Sequence, residues 1–213
     1  MTLGSKLASI LEKFNSVVPA PKRAIMEGHI EMLKNTDAGK ALNVGDIAPI
    51  FKLKNQNDEI VSSNELLTNG PLVVSFYRGS WCPYCVEEVK ALNEAYDSFR
   101  EAGADLVVIS PQALQYTQKQ AEDSHFKFSL LVDTGNKTGR EFGLTYTLLD
   151  DLADIYMNAK VNLPLINESD TWELPIPARY VIDRSGKIIY AKIDPDYRHR
   201  PEPSETVDFI RSL

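Results

Sequence analysis

The sequence predicts an α/β protein in which a helical extension precedes a central mixed sheet flanked by helices. Residues 1–43 carry apolar side chains at the spacing of amphipathic helices. From residue 44 onward, short apolar runs alternate with helical patterns, as in α/β folds. The 213 residues are enough to bury a sizeable core. We therefore predict a helical extension over 1–43 and one α/β domain over 44–213.

The first 43 residues contain two helical patterns. Apolar side chains recur at spacings of three and four along the first, at Leu3, Leu7, Ile10, Leu11 and Phe14. The sequence Pro19-Ala20-Pro21 ends this pattern, and a second one covers residues 24–33. Such helices need a surface to cover, which is either their own domain or a second copy of the chain. A homodimer is therefore one expectation.

Strand and helix patterns alternate through the middle of the chain. The predicted elements are strands at 50–53, 71–77, 105–110 and 128–132, and helices at 62–69, from just after Cys82 to 103, 112–123 and 136–142. Two of these strands, 71–77 and 105–110, are continuous apolar runs of the kind that buried central strands show. They are expected at the centre of the sheet.

The last third of the chain begins with an irregular insertion at 144–174, which contains a predicted helix at 148–158. Strands at 176–182 and 187–193 follow and form a hairpin. A last helix is expected to begin with Ser204 as its capping residue and to run to the end of the sequence.

The composition excludes several functional classes. The chain has 30 acidic and 23 basic side chains, a net charge of −7, whereas nucleic-acid-binding proteins carry a basic face. No run approaches the roughly 18 apolar residues of a membrane helix, and the first residues lack the apolar segment of a signal peptide. We expect a cytoplasmic protein with neither a nucleic acid nor a membrane as partner.

The two cysteines, Cys82 and Cys85, lie three positions apart, after the strand at 71–77 and at the start of the next helix. Unpaired N–H groups at a helix start carry partial positive charge, which favours a thiolate. In a Cys-x-x-Cys at such a place, the pKa of the first thiol falls from about 8.5 towards 7 or below. Pro83 suits the first helical turn, and Arg78 is a candidate for electrostatic support.

This placement predicts a redox-active pair. Cys82 is expected to be exposed at the helix tip and to attack, and Cys85, one turn further, to resolve the intermediate. One alternative is half of a zinc site, although the histidines, at positions 29, 125 and 199, are far apart in the sequence. Another is two inert thiols that pack as small hydrophobic groups. We predict no metal and no bound cofactor.

Three motifs carry a resemblance to a known family. They are Gly-Asp-Ile-Ala-Pro at 45–49, Phe-Tyr-Arg-Gly-Ser-Trp-Cys-Pro-Tyr-Cys at 76–85 and Tyr-Val-Ile-Asp-Arg-Ser-Gly-Lys-Ile at 180–188. In this order, the region from residue 44 onward resembles the peroxiredoxin-like proteins of the alkyl hydroperoxide reductase/thiol-specific antioxidant superfamily. The resemblance implies a thioredoxin-like fold with the two cysteines at its edge.

The sequence departs from that family at the cysteines. Peroxiredoxins usually have Pro seven residues and Thr or Ser three residues before the cysteine that attacks peroxide. Counting back from Cys85 gives Arg78 and Cys82, and counting back from Cys82 gives Ser75 and Gly79. Cys-Pro-Tyr-Cys is also the active-site sequence familiar from glutaredoxins. The subgroup resembled most has a Cys-x-x-Cys whose second cysteine aligns with the peroxide-attacking one.

The motif at the predicted hairpin, residues 180–188, also differs from the usual peroxiredoxin pattern. Peroxiredoxins carry an arginine six residues before the aspartate at the strand end, but counting back from Asp183 gives Pro177. Arg179, two residues further, is a second candidate for electrostatic support. In thioredoxin-type oxidoreductases a cis-proline at this place faces the cysteines, although a trans proline is commoner at a strand entry. We predict a cis-proline at Pro177.

The resemblance implies a thiol-dependent oxidoreductase that reduces hydroperoxides through Cys82 and Cys85, with electrons from a thioredoxin- or glutathione-type donor. The alternative is a thioredoxin- or glutaredoxin-like thiol–disulfide oxidoreductase that acts on protein or small-molecule disulfides. A third reading, outside enzymology, is a non-catalytic interaction protein or a zinc-stabilised one.

Side chains beside the cysteines are candidates for substrate binding. They are Trp81, Pro83, Tyr84 and Pro177. Simple packing explains the two aromatic residues about as well. Near the end of the chain, Tyr197, Arg198, His199 and Arg200 form a basic-aromatic cluster, which we expect to be solvated surface.

Overall fold

The computed structural model of the chain describes residues 1–36 and 40–213. Residues 37–39, which belong to the predicted extension, lie outside the described residues. A seven-stranded mixed sheet forms the centre, helices flank it, and two helices precede it, as the sequence predicts.

The helices and strands follow one another in the order expected for an α/β fold. The strands are β1 (Lys52–Asn55), β2 (Ile60–Ser62), β3 (Leu72–Phe76), β4 (Asp105–Ser110), β5 (Ser129–Val132), β6 (Thr145–Thr147), β7 (Glu173–Pro175), β8 (Ala178–Ile182) and β9 (Ile188–Ile193). The helices are α1 (Leu3–Val17), α2 (Ala20–Thr36), α3 (Ser63–Asn69), α4 (Pro83–Glu94), α5 (Tyr96–Glu101), α6 (Leu114–Ser124), α7 (Lys137–Glu141), α8 (Asp150–Asn158), α9 (Leu163–Ile166) and α10 (Pro203–Arg211). Within the described ranges, no helix is both long enough and apolar enough to span a bilayer.

The strand order of the main sheet is β2-β1-β5-β4-β3-β8-β9. β3, β4 and β5 run parallel to one another, whereas β8 pairs antiparallel with β3 and β9 antiparallel with β8. β3 is therefore a central strand, and the loop with the two cysteines leaves its carboxyl end.

All five residues of β3 are buried, because helices cover both faces of the sheet. Side chains alternate between the two faces along the strand. Leu72, Val74 and Phe76 belong to one hydrophobic core. Val73 belongs to the other core, which also contains Cys85. The sheet thus places the cysteine pair against a packed layer.

The two N-terminal helices pack on the rest of the chain. α1 contacts α4 and buries Leu3 and Leu7, and α2 contacts α8 and buries Leu33. The apolar side chains of the extension therefore pack largely on the α/β domain of the same chain. The division of the chain at residue 43 and the homodimer stay predictions.

Two helix boundaries differ from the predicted ones. α2 begins at Ala20 rather than near residue 24, because Pro21 lies in its first turn, where the missing N–H is not needed. The single helix predicted from Cys82 to Gly103 is two helices, α4 and α5, which meet at Ala95. The sequence pattern hides this break because both helices keep apolar residues on the buried side.

The insertion at 144–174 is more regular than predicted. It contains α8, close to the predicted helix, together with α9 and a two-stranded sheet of β6 and β7. Strands of three residues are too short to show alternating apolar and polar side chains, so the sequence does not predict β6 and β7.

The cap of the last helix is also different. α10 begins at Pro203, and its N-cap residue is Glu202, which forms a capping box with Glu205. Ser204 is exposed within the first turn, so its predicted role as the cap is wrong.

Candidate active site

α4 begins at the cysteine pair, as the sequence predicts. Cys82 is the N-cap residue of α4, with extended backbone angles, and Pro83 is the first helical residue. The carbonyl of Cys82 accepts a hydrogen bond from the N–H of Val86 at 3.0 Å, which closes the first turn. Cys85 lies one turn into the helix, on the same side as Cys82.

The loop between β3 and α4 has a fixed shape. Gly79 has a φ of +143°, and a Cβ atom there would lie 2.5 Å from Nε1 of Trp81, so only glycine fits. The N–H of Ser80 donates a hydrogen bond of 2.8 Å to Oε1 of the buried Gln112. These contacts hold the Trp81 ring and the backbone just before Cys82 in place.

Both cysteines are free thiols, and both are buried, Cys82 with 1% of its surface exposed and Cys85 with none. The prediction that Cys82 is exposed at the helix tip is therefore wrong. The helix start points into the protein, where Tyr84 and Tyr197 pack in the same core as Cys82.

A cavity of about 320 Å³ reaches Cys82. Trp81, Pro83 and Tyr84 line it, as predicted for substrate-binding residues, although their role in binding stays a prediction. α1, α2 and α8 supply most of the remaining wall, and Cys85 is not part of the lining. Cys82 is therefore the thiol that a small molecule in this cavity can touch.

Arg78 lies beside Cys82 in a box of aromatic rings. Its guanidinium carbon is 3.9 Å from the ring centre of Tyr197, 4.8 Å from Trp81 and 5.6 Å from Tyr156. It also donates a hydrogen bond to the hydroxyl of Tyr156. Within the described part of the chain no carboxylate forms an ion pair with this buried guanidinium, so a thiolate at Cys82 is its nearest counter-charge.

The surroundings separate the pKa values of the two thiols. Burial alone would raise the pKa of Cys82, but the hydrogen bond from Cys85 and the charges of Arg78 and Arg200 outweigh it and lower the pKa to about 6. Burial and the neighbouring Cys82 thiolate raise the pKa of Cys85 well above its usual value. At neutral pH, the pair therefore holds one negative charge, on Cys82, and one proton, on Cys85.

Behind the cysteines, a buried carboxylate joins two arginines. Oε1 of Glu88 accepts a hydrogen bond of 2.8 Å from Nη2 of Arg179, and Oε2 accepts one of 2.5 Å from Nε of Arg200. Arg200 also donates from Nη2 to Sγ of Cys85, at 3.4 Å. Arg179 thus contacts Glu88 and neither cysteine, and its role as electrostatic support stays a prediction.

The segment 197–200 is not a solvated surface, so that prediction is wrong for two of its residues. The side chain of Arg200 is 3% exposed because it reaches inward to Glu88 and Cys85. The ring of Tyr197 covers Arg78. Of these four residues, only His199 has a mostly exposed side chain. The guanidinium of Arg198 pairs with Asp196 and not with the cysteines.

Pro177 is in the trans form, since the described peptide bonds include no cis bond, and the predicted cis-proline is wrong. The trans form is the more stable one for an X–Pro bond, and here it leads directly into β8, whose five residues pair with β3. Pro177 lines a separate cavity with Glu88 and Arg179 rather than the one that reaches Cys82.

A metal centre finds no support in the described part of the chain. In residues 1–36 and 40–213, no three side chains of His, Cys, Asp or Glu lie close enough together to hold an ion. The two thiols share a hydrogen bond, and Arg200 donates one to Cys85.

Known proteins share this fold and this region of sequence. The model of the AhpC/TSA family matches residues 44–191. The chloroplastic peroxiredoxin Q of Populus jackii is 28% identical over 181 residues, which are 85% of this chain and 73% of the relative. The peroxiredoxin Q of Gentiana triflora is 29% identical over 172 residues, 79% of this chain and 66% of the relative.

A solved structure agrees in fold. The crystal structure of peroxidoxin BcpB from Mycobacterium tuberculosis superposes with a TM-score of 0.64 at 22% identity. The superposition covers 81% of this chain and 98% of that protein. The central sheet with its flanking helices is thus a thioredoxin-like fold of the peroxiredoxin type.

A free dithiol at a helix start in this fold defines a thiol-dependent oxidoreductase. The family model matches more than half of the chain, so the chain belongs to the AhpC/TSA family. It is a thiol-based peroxidase, as the sequence resemblance implies.

Two residues of the site escaped the sequence reading. Glu88 follows Cys85 by three positions on α4, a spacing that places both on one helix face and could have indicated that Glu88 lies near the site. Arg200 is 115 positions from Cys85, in a loop, and nothing in a single sequence indicates that pairing.

Proposed function

We infer that the protein reduces hydroperoxides through a dithiol–disulfide cycle in which Cys82 attacks and Cys85 resolves. The observation that carries this order is the position of Cys82, which lines the cavity and has a pKa of about 6. The thiolate is the nucleophile in such chemistry, and Cys85 holds the proton. The order is the reverse of the one that the family alignment of Cys85 implies.

The cycle balances in three steps. The Cys82 thiolate attacks the terminal peroxide oxygen, so that an S–O bond forms and the O–O bond breaks; the alkoxide that leaves takes a proton from solvent and becomes the alcohol. The thiol of Cys85 then attacks the sulfenic sulfur, a disulfide forms, and the sulfenic hydroxyl leaves as water with the Cys85 proton. One dithiol of a thioredoxin-type donor, or two thiols of a glutathione-type donor, supplies two electrons and two protons to restore both thiols.

Arg200 and Glu88 support the second step. Cys85 must lose its proton to attack, and the guanidinium of Arg200 lies 3.4 Å from its sulfur, where it stabilises the thiolate as it forms. Glu88 accepts from both Arg200 and Arg179, which fixes Arg200 in that place.

The experiment compares the wild type with Cys82→Ser and Cys85→Ser in a peroxide-consumption assay with a thioredoxin- or a glutathione-based donor. We expect turnover by the wild type alone, and a mass loss of two hydrogens when it is treated with peroxide without donor. Consumption no faster than that of free cysteine would refute the function. The donor that sustains turnover identifies the reductant class.

Disulfide reduction is the second candidate. The Cys-Pro-Tyr-Cys sequence at a helix N-terminus, with a low pKa at its first thiol, favours it. The burial of Cys82 opposes it, because a protein disulfide must reach the sulfur. Reduction of insulin at the rate of a thioredoxin, lost in Cys82→Ser, would favour this function over the first.

The location and the assembly are proposals as well. The relatives named above are chloroplastic by name, and a cytoplasmic location for this chain rests on its sequence. Imaging of a fluorescent fusion in its source cells tests the location. Sedimentation of the reduced and the oxidised protein tests the homodimer.

A further inference from the structure

The cavity above Cys82 is much larger than a peroxide group requires. Its volume of about 320 Å³ compares with about 30 Å³ for one water molecule in the liquid, and hydrogen peroxide has only two heavy atoms. A second, larger part of the ligand therefore has room beside the reacting oxygens.

The base of the cavity is polar and unpaired. Nε of Arg78, Nε1 of Trp81 and the hydroxyl of Tyr84 are buried and have no hydrogen-bond partner among the described residues. Burial raises the pKa of Tyr84 to about 12, so its hydroxyl keeps its proton at neutral pH. All three side chains line the same cavity as Cys82, so their unpaired donors are available to the oxygens of a hydroperoxide bound there.

The walls of the cavity are apolar and come largely from the N-terminal helices. Its apolar lining includes Phe14, Val17, Val18, Met26, Ile155 and Val161, with Lys22 and Asn158 as polar neighbours. The first four belong to α1, α2 and their junction, outside the residues 44–191 that match the family. A polar lining would favour hydrogen peroxide, whereas this mostly apolar lining favours an apolar group.

We propose that α1 and α2 bind the apolar body of an organic hydroperoxide and thereby select it over hydrogen peroxide. The peroxide group lies against Arg78, Trp81 and Tyr84, within reach of Cys82, and the apolar body lies against Phe14 and Val18. This inference rests on the proposed peroxidase function and assigns substrate selection to a segment outside the residues 44–191 that match the family model.

The test is the ratio of kcat/KM for cumene hydroperoxide to kcat/KM for hydrogen peroxide. Val18→Trp fills the cavity and Phe14→Ala removes part of its wall, and we expect each to lower the ratio, the first by about tenfold. Leu11→Ala is the matched control, because Leu11 lies on α1 but not on the cavity. It should leave the ratio unchanged. Equal ratios in all four proteins would overturn the proposal.

Binding of the unreactive product alcohol, 2-phenyl-2-propanol, gives a second readout that needs no turnover. In a Trp172→Phe background Trp81 is the remaining tryptophan, and its fluorescence should change on binding to the reduced protein. Because a tryptophan at position 18 would add its own fluorescence, Val18→Phe replaces Val18→Trp in this experiment. Val18→Phe should weaken binding of the alcohol at least threefold. Binding without peroxide turnover would refute the proposed function alone, and turnover without binding would refute this inference alone.

Discussion

At the scale of single residues, the site depends on the buried charge of Arg78, which has no carboxylate partner among the described residues. Arg78 is held by aromatic rings, and the Cys82 thiolate compensates its charge. A buried charge without a partner is costly, so the arginine and the thiolate stabilise each other. The low pKa of Cys82 is the measurable consequence.

The first prediction concerns pH. The rate at which iodoacetamide alkylates the reduced protein should rise with pH to a plateau, with a midpoint near 6, because the pKa of Cys82 is about 6. The folded pKa lies below the usual value of 9.0, so the unfolded chain binds more protons between these values. The reduced protein should therefore gain stability as pH rises from about 6 towards 9. Cys85→Ser keeps a hydrogen-bond donor beside Cys82 and serves as the alkylation control; a midpoint above 8 would contradict the assignment.

The second prediction concerns Arg200. Because its charge lowers the pKa of Cys82 and its Nη2 contacts Cys85, Arg200→Gln should raise the alkylation midpoint and slow peroxide reduction at pH 6. A rise of one pKa unit lowers the thiolate fraction at pH 6 by about fivefold. Arg198→Gln is the matched control, since Arg198 is in the same loop but pairs with Asp196. Equal effects in the two variants would argue against the role of Arg200.

At the scale of elements, one carboxylate connects the two ends of the chain. Glu202 caps α10, and its oxygens also accept hydrogen bonds from the N–H groups of Leu3, at 3.1 Å, and Gly4, at 2.7 Å. The same side chain therefore satisfies free donors at the starts of two helices. α1, which walls the cavity, is positioned through this contact.

The third prediction follows from that contact. Glu202→Ala should lower the free energy of unfolding by about 1 to 2 kcal/mol, because both helix starts lose an acceptor. Ser204→Ala, at the position that the sequence favoured as the cap, should change it by less than about 0.5 kcal/mol. Urea denaturation of both variants measures the difference. A larger loss of unfolding free energy for Ser204→Ala than for Glu202→Ala would indicate that Ser204 is the cap, as the sequence predicts.

The sequence predicted elements well where the physical signal is local. β4 has the predicted bounds, 105–110, and α4 starts at the predicted Cys82–Pro83 junction, because a buried run and a proline are visible in the chain itself. Contacts between distant residues were missed. The inward turn of Arg200 depends on its ion pair with Glu88, which lies 112 positions away in the sequence.

At the scale of the whole molecule, the reduced and the oxidised protein should differ in stability. Disulfide formation removes the thiolate that compensates Arg78 and that accepts the hydrogen bond from Cys85. The environment therefore favours the reduced state, as in oxidoreductases whose reduced form is stabilised.

The fourth prediction is the reduction potential of the pair. A redox titration at pH 7 should give a value less negative than about −270 mV, the value typical of thioredoxin, because the Cys82 thiolate is stabilised. Arg200→Gln should shift the potential to a more negative value, and Arg198→Gln should not. A potential well below that of thioredoxin would show that the thiolate is not favoured.

The central claim is that Cys82, and not Cys85, attacks the peroxide. The direct measurement is a sulfenic-acid trap with dimedone after stoichiometric peroxide, followed by mass mapping, in Cys85→Ser and in Cys82→Ser. We expect rapid labelling of Cys82 in Cys85→Ser. In Cys82→Ser, we expect labelling of Cys85 no faster than that of free cysteine. Rapid labelling of Cys85 in Cys82→Ser, with none of Cys82 in the other variant, would contradict it.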